Sequence, residues 1–217
     1  MKQFKLSTII YDLDGTLANT KGDIVNAVRN TLMAFDVVPP DDDTVGGFIG
    51  GGARNVIKRA LGEDNEKLLD EAVTYFSDYY HSHIVERTYL YPGVIETLEY
   101  FKNKKRQTLA TFKSKPGTKS VLEHFGIDKY FEMVVTAGDV EHPKPDPECL
   151  NVILKRYGLD PRDALLIGDT PTDMKTGKNA GVVVCAVDYG FAPPEELLEY
   201  SPDCMVSDIR ELKSIII

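Results

Sequence analysis

Cysteine is scarce in this 217-residue chain. Cys149, Cys185 and Cys204 are the only three, an odd number without the close spacing of a metal site or the density of a disulfide scaffold. They read as reduced core residues, and a cytoplasmic location is expected. Long apolar runs are missing too. No stretch reaches 18 consecutive apolar residues, so no helical membrane span is expected, and Met1 to Leu6 is too polar for a signal peptide. Positive charge is also short: 25 Lys and Arg stand against 34 Asp and Glu, a formal net charge of −9. That balance leaves no basic stripe to displace counterions from a nucleic acid. What remains is an ordinary globular composition, long enough for one large domain or one domain carrying an insertion.

Through most of the chain, β-branched apolar runs alternate with helical patterns. The runs are Ile9-Ile10-Tyr11, Thr108 to Thr111, Met133 to Thr136, Leu165 to Ile167, Val182 to Val187 and a weak last one near Met205-Val206. Helical patterns cover Val94 to Phe101, Thr118 to Phe125, Cys149 to Tyr157 and Met174 to Ala180. This alternation predicts βαβ units, an α/β fold with a parallel sheet and helices on both faces. Sites in such sheets lie off the carboxyl ends of the strands. One segment breaks the rhythm. From Leu17 to Thr88 the patterns are helical only, which predicts an all-helical insertion seated over those ends like a lid. The expected division is residues 1–16 and 89–217 for the core and 17–88 for the cap. The five glycines between Gly46 and Gly52 match no phosphate-binding fingerprint and read as a turn between lid helices.

The residues that carry chemistry sit where strands end. Asp12-Leu13-Asp14-Gly15-Thr16 follows the first run directly. Carboxylates two apart on a strand share a face, and like charges held that close need a cation or a shared proton. The pair suits a carboxylate nucleophile beside a carboxylic general acid/base, with Mg²⁺ keeping the nucleophile ionised. Thr111 closes the second run with a hydroxyl. Lys144 lies between Pro143 and Pro145, whose rings fix an extended backbone around it. Gly168-Asp169-Thr170-Pro171-Thr172-Asp173 brings two more carboxylates from a strand end into a helix start, although Asp173 alone would also pass for a helix cap. His81, His83, His124 and His142 show no ligand spacing and are not assigned to the site.

Taken together, Asp12-x-Asp14-Gly15-Thr16, Thr111, Lys144 and Gly168-Asp169-x-x-x-Asp173 resemble the four motifs of the haloacid dehalogenase superfamily, over essentially the whole chain. The insertion after the first motif is similar to that family's helical cap of the first type, on a Rossmann-like core. Phe48-Ile49-Gly50-Gly51-Gly52-Ala53, Tyr91-Pro92-Gly93-Val94 and Lys144-Pro145-x-Pro147 are closest to its phosphoglycolate phosphatase-like branch.

The resemblance implies a Mg²⁺-dependent phosphatase acting on a small soluble phosphate monoester, with 2-phosphoglycolate the leading substrate. Asp12 would be the nucleophile and Asp14 the general acid and base. Thr111 and Lys144 would hold the transferring phosphoryl group. Asp12, the Asp14 carbonyl, Asp169 and Asp173 would serve the metal, the last through water or by orienting Lys144. Thr16, Phe112 and Arg54 are the candidates for substrate binding, Arg54 as a clamp for a carboxylate. Phe112 stands where the family commonly has a small polar residue, which puts the substrate in doubt more than the reaction. A β-phosphoglucomutase-type mutase, a pyrophosphatase or nucleotidase, and a non-catalytic phosphate-binding module are the alternatives. A dehalogenase is disfavoured because such members lack an acid at the position of Asp14. No nucleic-acid or membrane partner is expected, and the oligomeric state is not legible.

Overall fold

A computed structural model describes residues 3–217 of the protein. The chain begins with β1 (Thr8–Tyr11) and the two-residue β2 (Ala18–Asn19). Four helices follow: α1 (Lys21–Ala34), α2 (Asp42–Gly46), α3 (Gly52–Leu61) and α4 (Leu69–Ser82). Then come β3 (Tyr89–Leu90), α5 (Val94–Phe101), β4 (Arg106–Ala110), α6 (Lys115–His124), β5 (Met133–Val135) and α7 (Glu148–Tyr157). The remainder is β6 (Ala164–Gly168), α8 (Pro171–Ala180), β7 (Val183–Val187), α9 (Pro194–Leu198), β8 (Cys204–Val206) and α10 (Leu212–Ile215).

Six strands form one parallel sheet in the order β5-β4-β1-β6-β7-β8. All four residues of β1 are buried, as a strand covered on both faces requires. Alternate side chains separate into two layers. Ile9, Tyr11, Leu165 and Ile167 join α5, α6 and α10 on one side, whereas Ile10, Leu166 and Val184 join α7 and α8 on the other. From β1 the chain adds strands first on one side and then on the other. The crevice that this reversal opens at the carboxyl ends is where doubly wound sheets bind ligands.

The four helices between β2 and β3 pack around a core of their own, built from Val28, Leu32, Ile57, Ala72 and Phe76. In α4 the buried residues Leu69, Ala72, Phe76 and Tyr80 fall three and four apart, the stripe of a helix with one buried face. One element departs from the expected pattern: β2 pairs antiparallel with β3, Ala18 opposite Leu90 and Asn19 opposite Tyr89. Residues 17–88 therefore begin with a strand. Two-residue strands are too short to produce alternation. Just beyond this ribbon, the buried Asp23 carboxylate accepts the backbone N–H groups of Arg87 (2.8 Å) and Thr88 (3.0 Å) and the Thr88 hydroxyl (2.6 Å). The two connections are thus tied together.

Cys149 and Cys185 are buried and Cys204 is half-buried. Among the described residues no helix is long and apolar enough to cross a membrane.

Candidate active site

Asp12 leaves β1 at the centre of the sheet, its N–H donating to the Ile167 carbonyl of β6 (2.9 Å). Its neighbours are Thr111, directly after β4, and Asp169, directly after β6. Lys144 reaches over from the loop before α7. Its Nζ donates to Asp12 Oδ1 (3.1 Å), Asp173 Oδ1 (2.8 Å) and the Ala110 carbonyl (2.9 Å). Burial opposes the charge on Lys144, but Asp12 and Asp173 outweigh it and hold the ammonium protonated. For Asp12 the order is reversed: burial dominates and pushes its carboxyl up to about 7 despite Lys144.

Asp173 serves helix and site at once. Thr170 caps α8: its hydroxyl accepts the Asp173 N–H (3.2 Å) and donates to Asp173 Oδ2 (2.6 Å), which also accepts the Thr170 N–H. This reciprocal capping box uses Oδ2 and leaves Oδ1 for Lys144. The cap-residue reading of Asp173 and its site reading are therefore both met by one side chain.

Asp169 is fully buried. Its carboxylate accepts the Thr16 hydroxyl (3.1 Å) and the Phe191 N–H (2.8 Å). Burial, then Asp173 and Asp12, push its carboxyl well above the ordinary range. Thr16, expected against substrate, is instead committed to Asp169 and is buried behind it. Gly15 and Gly190 complete the enclosure, because a Cβ at either would lie 2.0 Å and 2.2 Å from Asp169 atoms. Gly190 carried no sequence signal.

One oxygen from each of Asp12, Asp169 and Asp173 falls within 4.8 Å of the others. Ionised together, three carboxylates facing one ammonium would leave two negative charges in a buried space, and burial together with this crowding is why the Asp12 and Asp169 carboxyls are raised. All the donors are oxygens, the set that suits a hard divalent cation such as Mg²⁺. The residues fit that ion.

Asp14 points away from this cluster and toward the helices. It accepts the Thr20 hydroxyl at Oδ1 (2.8 Å), and Lys113 Nζ at Oδ1 (3.0 Å) and Oδ2 (3.3 Å). Lys113 also donates to the Tyr80 hydroxyl of α4 (2.5 Å). Burial opposes the Lys113 charge, and Asp14 and Tyr80 more than restore it. Burial pushes the Tyr80 phenol up to about 12. Thr20, Tyr80 and Lys113 were missed in the sequence. Lys113 had one available signal, since it follows Thr111 by two residues, but its partner Tyr80 is 33 positions away.

Above the carboxylates lies a cavity of about 370 Å³, bordered by Asp12, Asp14, Thr111 and Lys144 below and by α1, α3 and α4 above. Phe112 stands at the seam. A Cβ on Gly52, at the start of α3, would lie 2.6 Å from its ring, and one on Gly50 would lie 3.2 Å from Thr170. The glycine-rich turn thus lets the helical unit approach the sheet end closely. Arg54 borders the cavity but is paired with Asp70 of α4 (2.8 Å). His81, left out of the site above, also borders it and shares a hydrogen bond with Ser114 (3.1 Å). His142 lies elsewhere, exposed and paired with Glu148 (2.9 Å).

Residues 9–187 match the family model described as haloacid dehalogenase-like hydrolase. The chain belongs to that family. Haloacid dehalogenase-like relatives span it nearly end to end. A phosphoglycolate phosphatase from Haemophilus influenzae is 34% identical and covers 99% of this chain and 99% of its own length. The pyrophosphatase PpaX from Bacillus cereus is 31% identical, covering 98% and 97%. A solved structure described as a predicted phosphoglycolate phosphatase from Haemophilus somnus superposes with a TM-score of 0.88 at 27% identity, covering 99% of both chains. The family and these relatives make the chain a phosphatase.

Proposed function

We propose that this phosphatase hydrolyses small phosphate monoesters in two steps, through a phosphoryl group carried on Asp12. The observation that carries the reading is the placement of Asp12: a buried carboxylate at the cavity floor, 3.1 Å from Lys144, with Asp14 on the same cavity wall. Asp12 attacks phosphorus as the bond to the alcohol oxygen breaks, and Asp14 gives that oxygen its proton. Asp14 then takes a proton from the water that attacks phosphorus, releasing phosphate and freeing Asp12. Lys144, the Thr111 hydroxyl and the Phe112 N–H hold the equatorial oxygens, where charge is spread in the transition state. Asp12, Asp169, Asp173 and the Asp14 carbonyl would hold Mg²⁺, which when bound neutralises the carboxylates and the phosphate they must admit.

The helices of residues 17–88 act as the cap, excluding water from the first step. The thiols fit a cytoplasmic enzyme on a small diffusible substrate. The relatives' names offer 2-phosphoglycolate and pyrophosphate as candidates, and for 2-phosphoglycolate Arg54 would have to leave Asp70 to act as a carboxylate clamp.

The test is Asp12→Asn. Phosphate release with Mg²⁺ should fall by at least about three orders of magnitude, as for loss of a covalent nucleophile, with the far-UV circular dichroism unchanged. Substantial residual turnover would remove Asp12 from the nucleophile role.

A further inference from the structure

We infer that the alcohol this enzyme releases is uncharged with an apolar carbon body, rather than a small carboxylate such as glycolate; this rests on the phosphatase reading above. Polarity in the cavity is segregated. The floor carries the carboxylates, Thr111 and Lys144, whereas the wall above is mostly carbon from Ile24, Ile49, Val56, Val73, Phe76 and Phe112, interrupted by the hydroxyls of Ser77, Tyr80 and Ser114. A carboxylate placed among those side chains loses its water without gaining a charged partner, which is costly.

The cations bordering the cavity are already engaged. Lys144 is held between Asp12 and Asp173. Lys113 directs its ammonium to both Asp14 oxygens and the Tyr80 hydroxyl, so a substrate carboxylate would compete for it with Asp14 whenever Asp14 is ionised. Arg54 is turned to Asp70 with its side chain 63% exposed. His81 is bonded to Ser114.

Size points the same way. About 370 Å³ falls within the roughly 300–1,000 Å³ of pockets that enclose drug-sized ligands, more than 2-phosphoglycolate fills. Phe112 contributes to both features. Where a small polar side chain would open the seam with the cap and offer a hydrogen bond, an aromatic ring closes it with carbon.

The test is phosphate release with Mg²⁺ from ethyl, propyl, butyl and pentyl phosphate, and from isobutyl phosphate set against its charged isostere 2-phosphoglycolate. The alcohols differ little in acidity, so the comparison reads the pocket rather than the leaving group. We expect kcat/KM to rise about fourfold per added methylene until the cavity is full. Isobutyl phosphate should exceed 2-phosphoglycolate by about tenfold or more, since the carboxylate must be desolvated. Phe112→Asn should shrink that ratio. A flat chain-length series, or 2-phosphoglycolate turned over faster than isobutyl phosphate, overturns the inference while leaving the phosphatase reading intact. No release from any ester, including 4-nitrophenyl phosphate, with wild type and Asp12→Asn indistinguishable, overturns both.

Discussion

Lys144 illustrates how a single buried charge organises a site. Its ammonium joins the carboxylate that follows β1, an α8 carboxylate and a β4 carbonyl, so its loss strips compensation from two buried acids and, on the proposed mechanism, a contact from the phosphate. Lys144→Ala should lower kcat/KM by roughly 3 kcal/mol or more, the scale of a preorganised transition-state contact; a wild-type-like value would remove it from the site. Glycine matters where Asp169 is enclosed. Gly15 adopts φ +83° and has no room for a Cβ, so Gly15→Ala must displace Asp169 or the turn. Activity and thermal midpoint should fall together, by about 1–3 kcal/mol in stability, read by denaturant titration. Away from the site, Glu148 raises the His142 imidazole above 6.5. The pair favours the folded state between the Glu148 and His142 titrations, an advantage lost as pH rises through the His142 value or falls through that of Glu148. An NMR titration of Glu148→Gln should bring the His142 midpoint back down.

At the scale of elements, the legible features were those that repeat or punctuate. The six sheet strands announced themselves as apolar runs, and Asp12, Thr111 and Asp169 could be placed because each directly follows one. The β2–β3 ribbon was illegible because two residues carry no periodicity. Tyr80 looked like any other member of the apolar face of α4, and only the approach of α4 to the sheet end makes it a partner of Lys113. Arg54 was readable as a cation near the cavity, but its pairing with Asp70 depends on how α3 meets α4. Thr16 was placed in the right motif, but its bond to Asp169 was illegible because the partner lies 153 positions away. The returning connection depends on Asp23, whose carboxylate serves three donors. Asp23→Ala would leave the buried N–H of Thr88 unpaired, at a cost of about 1–3 kcal/mol. A lowered urea midpoint with a nearly unchanged slope is the expected result.

For the molecule as a whole, the buried acids set a balance between stability and pH. In the absence of a divalent ion, the Asp12 carboxyl is raised from 3.8 to about 7, chiefly by burial. The folded chain then binds more protons than the unfolded chain across that window, so stability falls as pH rises through it. Thermal midpoints in chelator should decline between about pH 5 and 8. Added Mg²⁺ should restore the midpoint at the upper end, by binding the folded state alone; no Mg²⁺-dependent shift would argue against a site at these carboxylates. The paired strands at the junction have a consequence of another kind. Because Ala18–Asn19 and Tyr89–Leu90 are zipped together, the chain leaves and re-enters the sheet layer at one doorway, its two strands about 5 Å apart. The sheet is indifferent to what hangs beyond that doorway. Insertions or deletions there need not shift the register of a core strand, but a different module would have to replace the hold of Tyr80 on Lys113, and through it on Asp14.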